Sequence, residues 1–278
     1  MVSVITDSTS DLGADIVTEF GLKVVPLLVT IGGNVYRDGK DIDQQALFEL
    51  VNKYGELPKT AAPSVGEFNT VFDLPGDIIF IGISSQLSAT VQNARLAAEN
   101  YPAGKVRVID SLNLSTGVGL LALRAAELNQ QGKEALNIEA TLLESVGKLR
   151  TSFVIETMEY LYKGGRCTAL QAIAGSVLKI HPIIEVRSDG NLGVKEKAHG
   201  TLRKGLQMIL DDFESSLPVM DTRRVFVTTT SGNEKDIDFL VGGITQLASP
   251  QDIRITRAGS VIASHCGPGT SGILFFIK

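Results

Sequence analysis

Short apolar runs of strand length alternate with amphipathic stretches through the first half of the chain. Residues 2–6 form one such run. It ends at Asp7-Ser8-Thr9-Ser10-Asp11, a cluster of helix-capping residues, before a predicted helix over about 13–20. Residues 23–31 predict a second strand closed by Gly32-Gly33-Asn34, and 43–54 carries the three- and four-residue apolar spacing of a helix. Ser64-Val65-Gly66-Glu67 fits a capping box at the start of another helix. The clearest pattern is the continuous apolar run 77–83, followed by Ser84-Ser85-Gln86-Leu87-Ser88-Ala89-Thr90 and a helix to about Asn100. Residues 105–109 predict a strand ending at Asp110-Ser111, with helices over about 116–131 and 137–149 behind it. Strands alternating with helices predict a parallel sheet covered on both faces.

The texture then changes. Residues 183–187 and 192–197 flank Ser188-Asp189-Gly190-Asn191, a hairpin signal. Further strands are predicted over 224–230, 252–257, 260–264 and 273–277. These predict an antiparallel or mixed sheet with helices on it. The expected architecture is therefore α/β, with a Rossmann-like parallel-sheet domain over 1–150 and an α+β domain over 151–278. No Pro- or Ser-rich linker marks the boundary near Arg150, so the two domains are expected to pack closely.

Composition and charge narrow the class of function. A chain of 278 residues fits two domains of ordinary size and can bury its core without staples. The net charge of −5, without a block of Lys or Arg, argues against a nucleic-acid partner. Cys167 and Cys266, with His181, His199 and His265, lie far apart and show no metal-ligand spacing, so no metal or cofactor is expected. The N-terminal residues lack a basic region followed by an apolar stretch, and no apolar run approaches the ~18 residues of a membrane span. The expectation is a cytoplasmic protein without stable membrane insertion.

The candidate chemistry sits at strand ends. Asp7-Ser8, Ser84-Ser85 with Ser88, and Asp110-Ser111 each lie just before a predicted helix, beyond the carboxyl end of a strand. Helix starts offer unpaired N–H groups and a partial positive charge that favour an anion. Ser and Asp at a helix start are usually just caps, and each motif alone is read that way first. The group Ser84, Ser85, Ser88 and Thr90 is denser than a cap requires. Three further candidates are Thr60-Ala61-Ala62-Pro63-Ser64, Lys163-Gly164-Gly165-Arg166, and His265-Cys266-Gly267-Pro268-Gly269, the last expected to turn between two strands. A pairing of Ser88 with His265 would suit a serine hydrolase, but G-x-S-x-G is absent. A P-loop is also absent, leaving an anion site without its own phosphate-binding loop.

In order, these motifs resemble the DegV family of fatty-acid-binding proteins, whose best understood members are binding subunits of bacterial fatty acid kinase. The matching stretches are Ile5-Thr6-Asp7-Ser8-Thr9-Ser10-Asp11-Leu12, Thr60 with Pro63-Ser64, Ser84 to Thr90, Asp110-Ser111 with Ser115, Gly117 and Gly119, Gly164-Gly165-Arg166, and His265 with Gly267-Pro268-Gly269. The resemblance implies a long-chain fatty acid enclosed between two domains. It implies a carboxylate held at Thr60 and Ser88, aided by Ala89 and Ser84, with Arg166, Arg203 and His265 as the polar surround. It further implies a carrier that does no chemistry alone and presents the carboxylate to a separate kinase subunit. Ala61 and Ala89 depart from the serine and glycine usual at those positions. The competing reading is an independent enzyme of related fold, either a small-molecule kinase or a serine hydrolase.

Overall fold

A computed structural model describes residues 2–169, 180–231 and 234–278. The first half runs β1 (Ser3–Asp7), α1 (Ala14–Glu19), β2 (Lys23–Val25), β3 (Leu28–Ile31), β4 (Asn34–Arg37), α2 (Gln44–Tyr54), β5 (Lys59–Ala61) and α3 (Val65–Phe72). It continues through β6 (Ile78–Gly82), α4 (Thr90–Ala98), β7 (Val106–Asp110), α5 (Thr116–Gln130) and α6 (Ala135–Val146). The second half begins with β8 (Leu149–Val154), α7 (Glu159–Lys163), β9 (Ile180–Val186), β10 (Leu192–His199) and α8 (Leu202–Ser216). It closes with β11 (Met220–Thr229), α9 (Glu234–Ala248), β12 (Asp252–Arg257), α10 (Ser260–Cys266) and β13 (Ser271–Ile277). The boundary expected near Arg150 falls at the second residue of β8.

The predicted parallel sheet is present, in the order β2-β1-β6-β7, with every pairing parallel. Its central strands are buried on both faces, which explains the unbroken apolar run of β6. Alternate side chains of a strand point to opposite faces. Ile78 and Phe80 accordingly pack with Phe68 and Phe72 of α3, whereas Ile79 and Ile81 pack with Val118 and Leu121 of α5. The second sheet, β10-β9-β8-β13-β11-β12, is mixed: β11 and β12 pair in parallel and the remaining pairs are antiparallel. One face carries α8 and α9; Phe153, Leu274 and Phe276 on the other join the core built around α5.

Two expectations are corrected. The run 23–31 is not one strand. It breaks at Pro26, which cannot donate to a ladder, and Leu27 N instead donates to Ser8 Oγ at 3.0 Å. β2 then belongs to the parallel sheet, and β3 to a separate antiparallel sheet, β4-β3-β5. The predicted strand 260–264 is instead α10. Its residues are buried on nearly every side, so it lacks the amphipathic period that marks a surface helix. α10 fills the gap between the small sheet and α2, where Val261 and Ala263 pack with Leu27, Val29 and Leu47.

Candidate functional site

A cavity of about 230 Å³ opens between the two halves, where β5 and the loops after β6 and β7 face α10. Thr60, Ser88, Ala89, Arg166 and His265 all lie on its wall, although Thr60 and His265 are 205 residues apart in sequence. Between them the wall is apolar, with Leu27, Leu87, Leu114, Leu161 and Ile262 among its members.

Local structure fixes each polar group. Thr60 lies on β5, opposite Val29 of β3. Its segment is tied to α4 by Asn93 Nδ2, which donates to the Pro63 carbonyl at 2.8 Å. The expected capping box forms: Ser64 Oγ accepts from Glu67 N, and Glu67 accepts from Ser64 N. Beyond β6, Leu87 N and Ser88 N both donate to the Ser84 carbonyl, which curls the loop tightly. Ser88 Oγ then accepts from Thr90 N at 3.3 Å and lies 2.8 Å from Thr90 Oγ1. Gly165 takes the left-handed conformation, with φ of 69°, and turns the chain out of α7 so that Arg166 reaches the cavity mouth. Arg166 Nη1 donates to the Gly164 carbonyl at 2.6 Å and the side chain is otherwise exposed.

His265 occupies the last turn of α10. Its Nε2 shares a hydrogen bond of 2.8 Å with Thr60 Oγ1, while Nδ1 is enclosed without a partner. Burial, reinforced by the positive charge of Arg166, pushes its pKa down to about 4. The imidazole is therefore neutral at physiological pH. Ser88 and His265 do not form the hydrolase pair, since each hydroxyl or ring contact is made elsewhere.

Two expected site residues stand apart from the cavity. Ser84 is fully buried and donates to the Gly190 carbonyl at 2.9 Å, which fastens the loop after β6 to the hairpin of β9 and β10. Arg203, at the start of α8, lies against α9: its guanidinium is centred 3.4 Å from the Phe239 ring centre, and its Nη1 lies 3.7 Å from Asp236 Oδ1. It thus serves the packing of α8 on α9.

A smaller chamber of about 20 Å³ adjoins the cavity at Leu114, Ile262 and Cys266, on the side of the second sheet. Thr151, Thr229, Thr230 and Thr270 line it, yet it is apolar in character. Their hydroxyls are committed elsewhere: Thr151 donates to Asn113 Oδ1, Thr229 to the Thr270 carbonyl, Thr230 to the Gly267 carbonyl and Thr270 to the Cys266 carbonyl. Methyl groups are left to form the wall. The thiol of Cys266 is pushed up to about 12, by burial first and then by Asp11.

Sequence reasoning read the motif residues Asp7 and Asp11 as caps and did not single out Asp38. All three are buried. Asp11 accepts from Gly259 N at 2.7 Å and Ser115 Oγ at 2.5 Å; Asp38 accepts from Ser260 N at 2.7 Å and Ser260 Oγ at 2.6 Å. Together they grip the start of α10 and so set where His265 lies. Asp7 accepts from Ile83 N at 2.8 Å and orders the strand end before Ser84. Burial raises the pKa of all three, that of Asp7 to about 6. Among the described residues, no group of His, Cys, Asp and Glu is arranged to hold a metal ion.

The arrangement is a group of polar residues, Thr60, Ser88 and neutral His265, on the wall of a mostly apolar cavity. The family model described as "Uncharacterised protein, DegV family" matches residues 1–278. The chain belongs to the DegV family. A DegV domain-containing protein of Caldanaerobacter subterraneus is 32% identical over 278 residues, covering 99% of this chain and 98% of its own. Among solved structures, a fatty-acid-binding DegV protein of Thermus thermophilus superposes with a TM-score of 0.92 at 32% identity, covering 100% of this chain and 99% of its own. DegV of Bacillus subtilis, described as a fatty acid binding protein, gives 0.85 at 27% identity, with 100% and 99% covered. The fatty acid kinase B3 protein of Streptococcus pneumoniae, loaded with linoleic acid, shares the DegV fold at a TM-score of 0.87 and 23% identity, with 100% of each chain covered. Among the described residues, no helix is long and apolar enough to cross a membrane.

Proposed function

We propose that this chain binds a long-chain fatty acid between residues 1–150 and 151–278, and presents its carboxylate to a separate ATP-dependent kinase in the cytoplasm. The observation that carries this reading is the meeting of Thr60, Ser88, Ala89, Arg166 and His265 on the wall of one mostly apolar cavity between the two halves. The fatty-acid ligands of the Thermus and Bacillus relatives support the ligand class, and the kinase-associated relative of Streptococcus supports the partner.

Tail and head have different tasks. Burying a CH₂ group contributes about 0.8 kcal/mol, so a chain of about 15 offers roughly 12 kcal/mol before the costs of binding. Each neutral hydrogen bond adds only about 0.5–1.5 kcal/mol net. The tail supplies affinity, while Thr60, Ser88 and the Ala89 backbone orient the carboxylate. Neutral His265 steadies Thr60 without introducing a buried charge, and Arg166 offers positive charge at the mouth. In the transfer, a carboxylate oxygen would form a bond to the γ-phosphorus of ATP. The bond from that phosphorus to the ADP oxygen would break, leaving an acyl phosphate on the carrier and ADP on the kinase.

Native mass spectrometry of the protein purified from cells tests the ligand: the expected result is a bound fatty acid. Ser88→Ala and Thr60→Val should each weaken binding by about two- to tenfold, the loss of one hydrogen bond. Protein that is ligand-free and ignores added fatty acid would refute the reading. ATP hydrolysis by the isolated chain would instead favour an independent kinase.

A further inference from the structure

Beside the cavity lies a wide depression of about 810 Å³ that shares Leu87, Ser88, Ala89, Arg166 and Leu192 with the cavity wall. The two therefore adjoin at the residues of the polar grip, but their chemistry differs. The cavity is mostly apolar, and the depression mostly polar. Two arginines line it, Arg166 and Arg187. Its acidic member among the described lining residues is Asp189, whose carboxylate accepts from Asn191 N and Asn191 Nδ2, both at 3.0 Å. These bonds, the backbone one foremost, and then the positive charge of Arg187 hold Asp189 below the usual carboxylate range.

Arg187 opens the hairpin between β9 and β10. Its N donates to the Asn191 carbonyl and its carbonyl accepts from Gly190 N, both at 2.9 Å. Its guanidinium lies across Gly193 of β10. A Cβ added at Gly193 would come within 2.3 Å of Arg187 Nε and 2.7 Å of its Cζ. The glycine thus leaves a bed in which the arginine rests flat. The same hairpin is fixed to the first half by Ser84, through the bond to the Gly190 carbonyl. A rigid turn therefore holds Arg187 on the rim of the opening.

We propose that Arg187, together with Arg166, forms an anion cradle at the cavity mouth for a phosphoryl group borne by the seated acyl chain. This rests on the fatty-acid reading given above. A carboxylate carries one negative charge, which the neutral grip of Thr60 and Ser88 accommodates. A phosphoryl group on that carboxylate adds charge one bond further out. The cavity wall offers Arg166 alone to balance it, while the depression adds a second planar fork, Arg187, suited to phosphate oxygens. The ligand class is a long-chain acyl or alkyl phosphate, distinguished from a free fatty acid by its headgroup alone.

The test uses the full chain stripped of ligand, with palmitate and hexadecyl phosphate as probes in a displacement assay against a fluorescent fatty acid. Arg187→Gln should weaken hexadecyl phosphate about tenfold and palmitate less than about twofold, the loss of one charge-assisted contact to phosphate. Gly193→Ala, which pushes the guanidinium off its bed, should act in the same direction while Arg187 keeps its charge. Equal losses for both probes, or an unchanged hexadecyl phosphate affinity in Arg187→Gln, would overturn the cradle. Wild-type protein that binds neither probe would overturn the fatty-acid reading on which the cradle rests.

Discussion

His265 makes the stability of the protein depend on pH in a direction that can be worked out. Its pKa is about 4 in the fold against an ordinary 6.5, because burial and then Arg166 disfavour the charged ring. Between these values the unfolded chain binds a proton that the folded chain does not. Stability from this group is therefore complete above pH 6.5 and is lost as pH falls through 4. The shift corresponds to about 3 kcal/mol in all, of which about 2.5 kcal/mol is lost between pH 7.5 and 4.5. Asp7 works in the opposite sense. Its pKa, raised from 3.8 to about 6, gives stability that is present below 3.8 and lost as pH rises through 6. Wild type alone would show the two partly cancelling. His265→Gln removes one of them while retaining a polar group near Thr60. Urea unfolding of both proteins at pH 7.5 and 4.5 isolates the histidine. Wild type should lose about 2.5 kcal/mol more than the variant over that interval. Parallel losses, or an imidazole that titrates near 6.5 in the folded protein by NMR, would refute the enclosed neutral ring.

Three further outcomes follow from the same geometry. In Gly164→Ala, the new Cβ would stand 2.5 Å from His265 Nδ1 and 2.8 Å from the Tyr160 carbonyl. Denaturant unfolding should show a loss of about 1–3 kcal/mol, the usual cost of overpacking, together with weaker fatty-acid retention. Cys266, buried with its thiol pushed up to about 12, should resist iodoacetamide at pH 8 in the folded protein and react once unfolded, as followed by mass spectrometry. Arg203→Ala should leave fatty-acid affinity within about twofold, since its partners lie on α9; a loss comparable with that of Ser88→Ala would show that the arginine reaches the ligand.

The parallel sheet was legible because β1 and β6 are buried on both faces and so appear as unbroken apolar runs ended by polar caps. The small sheet was not, because β3 and β5 are short and Pro26 is the sole mark of the break between β2 and β3. α10 was mistaken for a strand for a physical reason. A short helix enclosed on all sides has no polar face, and Val261-Ile262 favours the extended reading. The meeting of Thr60, Ser88, Arg166 and His265 was visible only as ordered motifs; local capping rules gave no cause to bring them together. The distal chamber was hidden altogether, because threonine counts as polar until its hydroxyl is seen to be spent on a carbonyl. Ser84 and Arg203 illustrate the converse. Their residue types suit an anion site, but one is consumed in fastening a hairpin and the other in packing two helices.

The embedding of α10 has a consequence for biosynthesis. This helix follows all of the first half and most of the second in sequence, yet Val261 and Ala263 complete the core of the small sheet and α2, and the start of the helix donates to Asp11 and Asp38. Until residues 259–266 leave the ribosome, Asp11 and Asp38 lack the donors that Gly259 and Ser260 supply, and the apolar groove of the first half lacks its lid. His265, which steadies Thr60, arrives in the same segment. An emerging chain therefore has no finished pocket before residues 259–266 are in place, and cargo can be taken up only after that segment has docked.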